Sequence, residues 1–263
     1  MGRAIVITSG KGGVGKTTTT ANLGAALARQ EKSVVLIDAD IGLRNLDVVM
    51  GLENRIVYHL VDVAQGKCPA HKALIKDRRI ENLYLLPASQ TDDKDALTPD
   101  AMREVVRDLK ADHDFVLIDC PAGIEQGFRN AIAGADEAIV VATPEVSSIR
   151  DADRVVGLLA GADVPARLVV NRISKAMVRR GDMLSESDVI DILALELLGA
   201  VPLDDEIVAS TNKGVPATLA GKSAAAKQFE SIALKLAGDG IAAEIVSAGF
   251  FARIGRALGL SPA

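Results

Sequence analysis

Several residue types are scarce in this 263-residue chain, and each scarcity closes off a class of protein. There is no Trp, and aromatic residues make up only 3%, so the core must be built from aliphatic side chains, as in sheets covered by helices on both faces. The two cysteines, Cys68 and Cys120, lie far apart and outside any C-x-x-C pair. That spacing argues against a disulfide scaffold or a zinc site, and suits a reduced cytoplasmic compartment. An excess of cations is also lacking: the net charge is −5. Broad sequence-independent DNA binding rests on phosphate neutralisation by Lys and Arg, so this balance weighs against a nucleic-acid partner. No apolar run approaches the ~18 residues of a membrane-spanning helix. The first residues run straight into a strand-like stretch, so no secretory leader is expected. What remains is a chain with 49% hydrophobic residues, long enough for one large core.

Glycine is plentiful at one place. Gly10-Lys11-Gly12-Gly13-Val14-Gly15-Lys16-Thr17 fits the phosphate-binding pattern G-x-x-x-x-G-K-[ST]. The preceding residues 3–8 form a β-rich run, and residues 17–29 carry Leu23, Ala26 and Leu27 at helical spacing. Strand, glycine loop and helix are what a phosphate cradle requires. Glycines let backbone N–H groups converge on oxygens, and the helix N-terminus adds partial positive charge. Lys16 reaches the β- and γ-phosphates, Thr17 offers a hydroxyl to Mg²⁺, and Thr18 continues the cradle. Lys11 is a second cation with no obvious work inside its own subunit.

Apolar strand-like runs at 33–38, 82–87, 114–119, 137–142, 166–171 and 198–202 alternate with helix-like stretches at 99–112, 147–162, 185–195 and 223–236. This alternation predicts an α/β fold: a single doubly wound, mostly parallel sheet of P-loop NTPase type with helices on both faces. The expected organisation is an ATPase domain over 1–237, a connector over 238–247 and an amphipathic tail helix over 248–263. Ligands of such sheets collect at the carboxyl ends of strands. Asp119 ends one apolar strand in a Walker B arrangement, and Asp38 and Asp40 follow another. A lone acid at a strand end is often only a loop cap. Two such ends beside a phosphate loop point to Mg²⁺ and an attacking water.

These segments resemble the MinD/ParA family of ATPases, whose Walker A motif is deviant in carrying the extra lysine. The resemblance covers nearly the whole chain. It extends to Asp38-Ala39-Asp40-Ile41-Gly42-Leu43-Arg44-Asn45-Leu46-Asp47, a switch I segment, and to Asp119-Cys120-Pro121-Ala122-Gly123-Ile124-Glu125. Pro144-Glu145-Val146-Ser147-Ser148-Ile149-Arg150-Asp151 also matches. It implies an ATP hydrolase, active with Mg²⁺, that forms a homodimer around ATP. Lys11 would reach into the neighbour's site, as an arginine finger in trans does. It further implies that Asp40 positions the attacking water and that Thr17, Asp38 and Asp119 organise Mg²⁺. Asn171, Pro202 and Asp204 would lie by the adenine, and Asp151 and Asp153 would engage a MinC-type division inhibitor. A MinE-type activator is a further partner that the family allows. The rival within the family is a ParA-like partition ATPase whose dimer binds DNA.

In the tail, Phe250, Phe251, Ile254 and Leu258 fall on one face at 100° per residue, and Arg253 and Arg256 lie off it. Such a helix either docks on its own domain or lies in a membrane interface with its arginines at anionic headgroups. The resemblance favours the membrane, placing the protein peripherally on the cytoplasmic face. Burying the four apolar side chains gains roughly 1.5–3 kcal/mol each. Ordering a loose tail costs about 1–2 kcal/mol per residue before hydrogen bonds form. One tail therefore binds weakly, and two on a dimer gain avidity of about 10²–10⁴.

Overall fold

The computed structural model describes residues 1–221 and 223–238. The expected connector and tail, including Phe250, Phe251, Arg253, Ile254, Arg256 and Leu258, lie outside the described residues apart from Gly238. The strands are β1 (Arg3–Thr8), β2 (Val34–Asp38), β3 (Ile75–Lys76), β4 (Leu83–Leu86), β5 (Phe115–Asp119), β6 (Glu137–Ala142), β7 (Ala166–Ile173) and β8 (Glu196–Pro202). The helices are α1 (Lys16–Ala28), α2 (Leu46–Met50), α3 (Leu60–Ala64), α4 (Ala70–Ala73), α5 (Pro99–Asp112) and α6 (Gln126–Ile132). They continue with α7 (Val146–Gly161), α8 (Lys175–Arg180), α9 (Glu186–Leu193), α10 (Asp205–Asn212), α11 (Ala217–Ala220) and α12 (Ala224–Gly238).

All eight strands form one sheet in the order β3-β4-β2-β5-β1-β6-β7-β8. Every neighbouring pair is parallel except β3 with β4. β2 and β5 are buried at every residue, which is why they read as unbroken apolar runs rather than alternating ones. Alternation still sorts the side chains. Ala4, Val6, Val35, Ile37, Val116 and Ile118 join the layer with α5, α7 and α9, while Ile5, Ile7, Val34, Leu36 and Leu117 join that with α1 and α12. The doubly wound parallel sheet expected from the sequence is what forms.

The differences are local. β3 was not anticipated: two residues pairing antiparallel at the sheet edge leave no periodic signal. α2, α3, α4, α8 and α11 are four to six residues long, too short for an i, i+3, i+4, i+7 pattern. α5 starts as its sequence indicates, with Pro99 in the first turn and the Thr98 hydroxyl accepting from the Ala101 N–H at 3.2 Å.

Candidate nucleotide site

The order of strands reverses at β1, whose neighbours are β5 and β6, and the glycine loop leaves the sheet there. Gly13 and Gly15 have φ of 76° and 102°, so the loop depends on left-handed backbone that glycine adopts without penalty. Gly15 is also packed too closely for a side chain: an added Cβ would lie 2.3 Å from Asn171 Nδ2. That amide donates to the Val14 carbonyl at 2.8 Å, so the end of β7 holds the loop from below. Asn171, expected by the adenine, is thus first a brace for the loop.

Lys16 opens α1 and is buried. Its ammonium donates to Ser9 Oγ at 3.1 Å, and that hydroxyl donates to the Lys11 carbonyl at 2.8 Å. Thr20 Oγ1 lies 3.1 Å from the Lys16 carbonyl and 3.3 Å from Asp119 Oδ1. Ser9 and Thr20 were missed by sequence reasoning. The signal for Thr20 was present, since it sits one helical turn beyond Lys16 in the run Thr17-Thr18-Thr19-Thr20.

β2 and β5 bring Asp38 and Asp119 into register as direct partners. Both carboxyls are buried. Burial pushes Asp119 up to about 8, and the charge of Asp38 adds to it, against the Thr17 hydroxyl and the Lys16 ammonium. Burial likewise raises Asp38 to about 6, partly offset by N–H groups of the following loop. Those N–H groups belong to Asp40, at 3.0 Å, and to Asn45 and Leu46, at 3.1 and 3.0 Å, so Asp38 anchors the segment that carries Asp40. Further along it, Gly42 donates its N–H to the Ser89 carbonyl at 2.8 Å, and Arg44 Nε lies 2.8 Å from the buried Asp47 carboxylate.

Two buried carboxylates side by side, with the Thr17 hydroxyl beside them, are an unstable arrangement for a cation-free site and a suitable one for Mg²⁺. Mg²⁺ commonly takes one or two carboxylates and fills its remaining positions with phosphate oxygens and water. The residues therefore fit the ion.

Lys11 is half-exposed at the mouth of the loop. Its Nζ donates to Ser147 Oγ at 3.3 Å and lies 4.0 Å from Glu145 Oε2, both at the start of α7. The expectation that it has nothing to do in its own subunit needs amending: it is loosely held there. α7 also carries Asp151 and the exposed Asp153. The backbone of Asp151 packs so tightly on Gly10 that a Cβ there would lie 2.1 Å from the Asp151 carbonyl oxygen. Pro202 ends β8, paired in register with Ile173 of β7. Asp204 caps α10 by accepting from the Glu206 N–H at 3.1 Å, and it accepts from the Ala225 N–H of α12 at 3.0 Å. Those bonds hold its carboxyl below the usual range. Asp204 is thus a structural tie at the edge of the site. Cys68 and Cys120 are buried, and burial pushes the Cys120 thiol up to about 12.

Sheet, switch point, glycine loop and paired strand-end acids define a P-loop NTPase. The family model described as "ParA: NUBPL iron-transfer P-loop NTPase" matches residues 1–237. The septum site-determining protein MinD of Bacillus subtilis is 53% identical over 249 residues, covering 94% of this chain and 93% of that one. The Aquifex aeolicus protein in a MinC:MinD cell division complex superposes with a TM-score of 0.84 at 49% identity, over 91% of this chain and 97% of that one. MinD of Pyrococcus horikoshii, solved with Mg-ADP, gives 0.83 at 34% identity over 93% and 100%. The chain belongs to the MinD family of septum-placement ATPases, and it hydrolyses ATP with Mg²⁺.

Proposed function

We propose that ATP joins two copies of this chain, that Lys11 acts in the partner's site, and that the dimer resides on the cytoplasmic face of the membrane and engages a MinC-type inhibitor through α7. The observation that carries this reading is Lys11 itself. It stands at the mouth of the loop with its side chain 45% exposed and only long contacts to its own subunit, while Lys16 already occupies the interior. In the proposed reaction Lys16 and the loop N–H groups bind the phosphates. Lys11 neutralises charge developing on the partner's transferred group, and Asp40 orients the attacking water. Asp38, Thr17 and Asp119 would hold Mg²⁺, which when bound would supply further charge neutralisation at the phosphates. Thr18 belongs to the cradle, and Asn171 and Pro202 border the base side. Asp151 and Asp153 support the inhibitor contact, since α7 carries both beside the loop, Asp151 with its backbone against Gly10 and Asp153 exposed. The amphipathic sequence of residues 248–263 supports membrane residence.

The test is sedimentation with anionic liposomes, alongside retention on plasmid DNA, both with ATP. The expected result is ATP-dependent recovery with liposomes only. Asp40→Ala should bind ATP and stay on the vesicles as a dimer. Lys11→Ala should bind ATP through Lys16 yet neither dimerise nor sediment. An Asp40→Ala protein that remains monomeric with ATP, or wild-type protein retained on DNA instead of lipid, overturns the reading.

A further inference from the structure

Between β3 and β4 one arginine joins three parts of the chain. Asp77, just after β3, is buried and donates its N–H to the Leu83 carbonyl at 2.8 Å, so it is fixed to the sheet edge. Its carboxylate accepts from Arg79 at Nε (3.0 Å), at an Nη (2.5 Å) and at the main-chain N–H (2.6 Å). Held by that fork, the guanidinium also donates to the Met50 carbonyl at 2.6 Å and to the Gly214 carbonyl at 2.8 Å. Met50 is the last residue of α2, and Gly214 follows the end of α10. The two helix ends meet there, main chain against main chain. A Cβ on Gly51 would lie 2.6 Å from the Gly214 carbonyl oxygen, and one on Gly214 would lie 2.7 Å from Gly51 Cα. Both residues have left-handed backbone, with φ of 63° and 65°. Helix C-termini carry partial negative charge, so two of them in contact repel unless a cation joins them. The planar fork of donors on a guanidinium can hold Asp77 and both carbonyls together, which a single ammonium cannot.

The opposite ends of the same two helices stand at the nucleotide site. Leu46, the first residue of α2, donates its N–H to Asp38 at 3.0 Å, and Asp40 lies in the segment between them. α10 begins at its cap Asp204, two residues after Pro202. At 1.5 Å per residue the two helices are only about 8 and 12 Å long, so each passes a displacement from one end to the other as a short rod. We propose that Arg79 is a positioning residue for ATP hydrolysis: by tying α2 to α10 it makes the base side of the site and the segment that carries Asp40 move as one body. A base seated at the start of α10 then also sets the place of Asp40. The inference rests on the proposed position of the base beside Pro202 and Asp204.

Amide hydrogen exchange of the full-length protein, with and without saturating ADP in EDTA, reads the tie. With no Mg²⁺ to order the segment after β2, protection of residues 42–50 has to arrive through the protein. In the wild type ADP should slow exchange of both 203–214 and 42–50 by about fivefold or more, the low end of typical coupling between sites. In R79A, 203–214 should still respond and 42–50 should not. Each protein is compared with itself, so a general loss of stability cancels. R79K should behave as R79A does, and it decides should R79A fail to fold. Turnover of ATP with Mg²⁺ should show kcat lowered by about tenfold or more and KM within about threefold, since Lys16 and the glycine loop are untouched. Protection of 42–50 that persists in both variants, its absence in the wild type, or an unchanged kcat overturns the proposal. ADP that protects the glycine loop of the wild type but leaves 203–214 unaffected defeats instead the base-side reading on which the proposal rests.

Discussion

Gly10 joins the nucleotide loop to α7 with no room between them, and substitution there has a calculable effect. A Cβ at Gly10 would lie 2.1 Å from the Asp151 carbonyl oxygen, 2.2 Å from its carbonyl carbon and 2.7 Å from its Cβ. Unstrained carbon contacts need about 3.5 Å. Two of these neighbours are main chain, so no rotamer change relieves them, and either the loop or α7 must retreat by roughly 1 Å or more. Overpacking of this kind costs about 1–3 kcal/mol. At roughly 2–4 °C per kcal/mol for a chain near this size, Gly10→Ala should lower Tm by about 4–8 °C for a 2 kcal/mol loss. The control is on the same helix. Gly157 lies inside α7, and a Cβ there meets nothing within 4 Å. Gly157→Ala should stabilise by about 0.5–1 kcal/mol, because alanine loses less backbone entropy in a helix. Calorimetry of the nucleotide-free variants reads the two signs, and titration with ADP should show weakened binding in Gly10→Ala only. If both variants shift Tm the same way, or Gly10→Ala melts like wild type and binds ADP normally, the close junction of loop and helix is not real.

Asn171→Ala removes the donor to the buried Val14 carbonyl. The protein should lose about 1–3 kcal/mol in urea melts, and ADP binding should weaken with it; wild-type stability would mean that the carbonyl finds another donor. The pair Asp38 and Asp119 makes the nucleotide-free protein pH-sensitive. Both carboxyls are raised on folding, Asp38 to about 6 and Asp119 to about 8, so between about pH 4 and pH 8 the folded state holds more protons than the unfolded chain. Stability should therefore fall as pH rises through that window, and Asp119→Asn should flatten the decline. Binding Mg-ADP at pH 7 should release protons, visible as calorimetric heats that depend on the buffer's ionisation enthalpy. Heats independent of buffer would show the pair already ionised.

The parts that the sequence made legible are those where one physical cause dominates. Strands buried on both faces must be apolar throughout, so β1, β2, β5 and β6 could be read almost to the residue. The glycine loop was legible because its backbone geometry tolerates few other residues. Asp38 and Asp119 were legible as strand ends, but their direct register was not, since 76 residues lie between the end of β2 at Asp38 and the start of β5 at Phe115 and only the sheet order makes them neighbours. Ser9 and Thr20 act through single hydroxyls, which carry no periodic signature. Asp204 also caps α10 and ties it to α12, a long-range contact that no local pattern reveals and that leaves its expected place on the base side untouched.

The proposed role of Lys11 in a second subunit requires that its contacts at home be weak, and they are. In its own subunit it has one hydrogen bond of 3.3 Å and an ion pair at 4.0 Å with Glu145, whose side chain is 59% exposed. Exposed pairs of this kind contribute about 0–1 kcal/mol, so releasing the lysine costs little. A triphosphate offers it far denser negative charge, and the exchange is favourable if a second subunit brings one within reach. Glu145→Gln should then change ATP-driven self-association by less than about fivefold, the equivalent of that pair's worth. Lys11→Ala should abolish self-association. Light scattering on the two variants with ATP compares them directly. If Glu145→Gln were as severe as Lys11→Ala, the contact within the subunit would be the functional one, and the lysine's reach into its neighbour would lose its support.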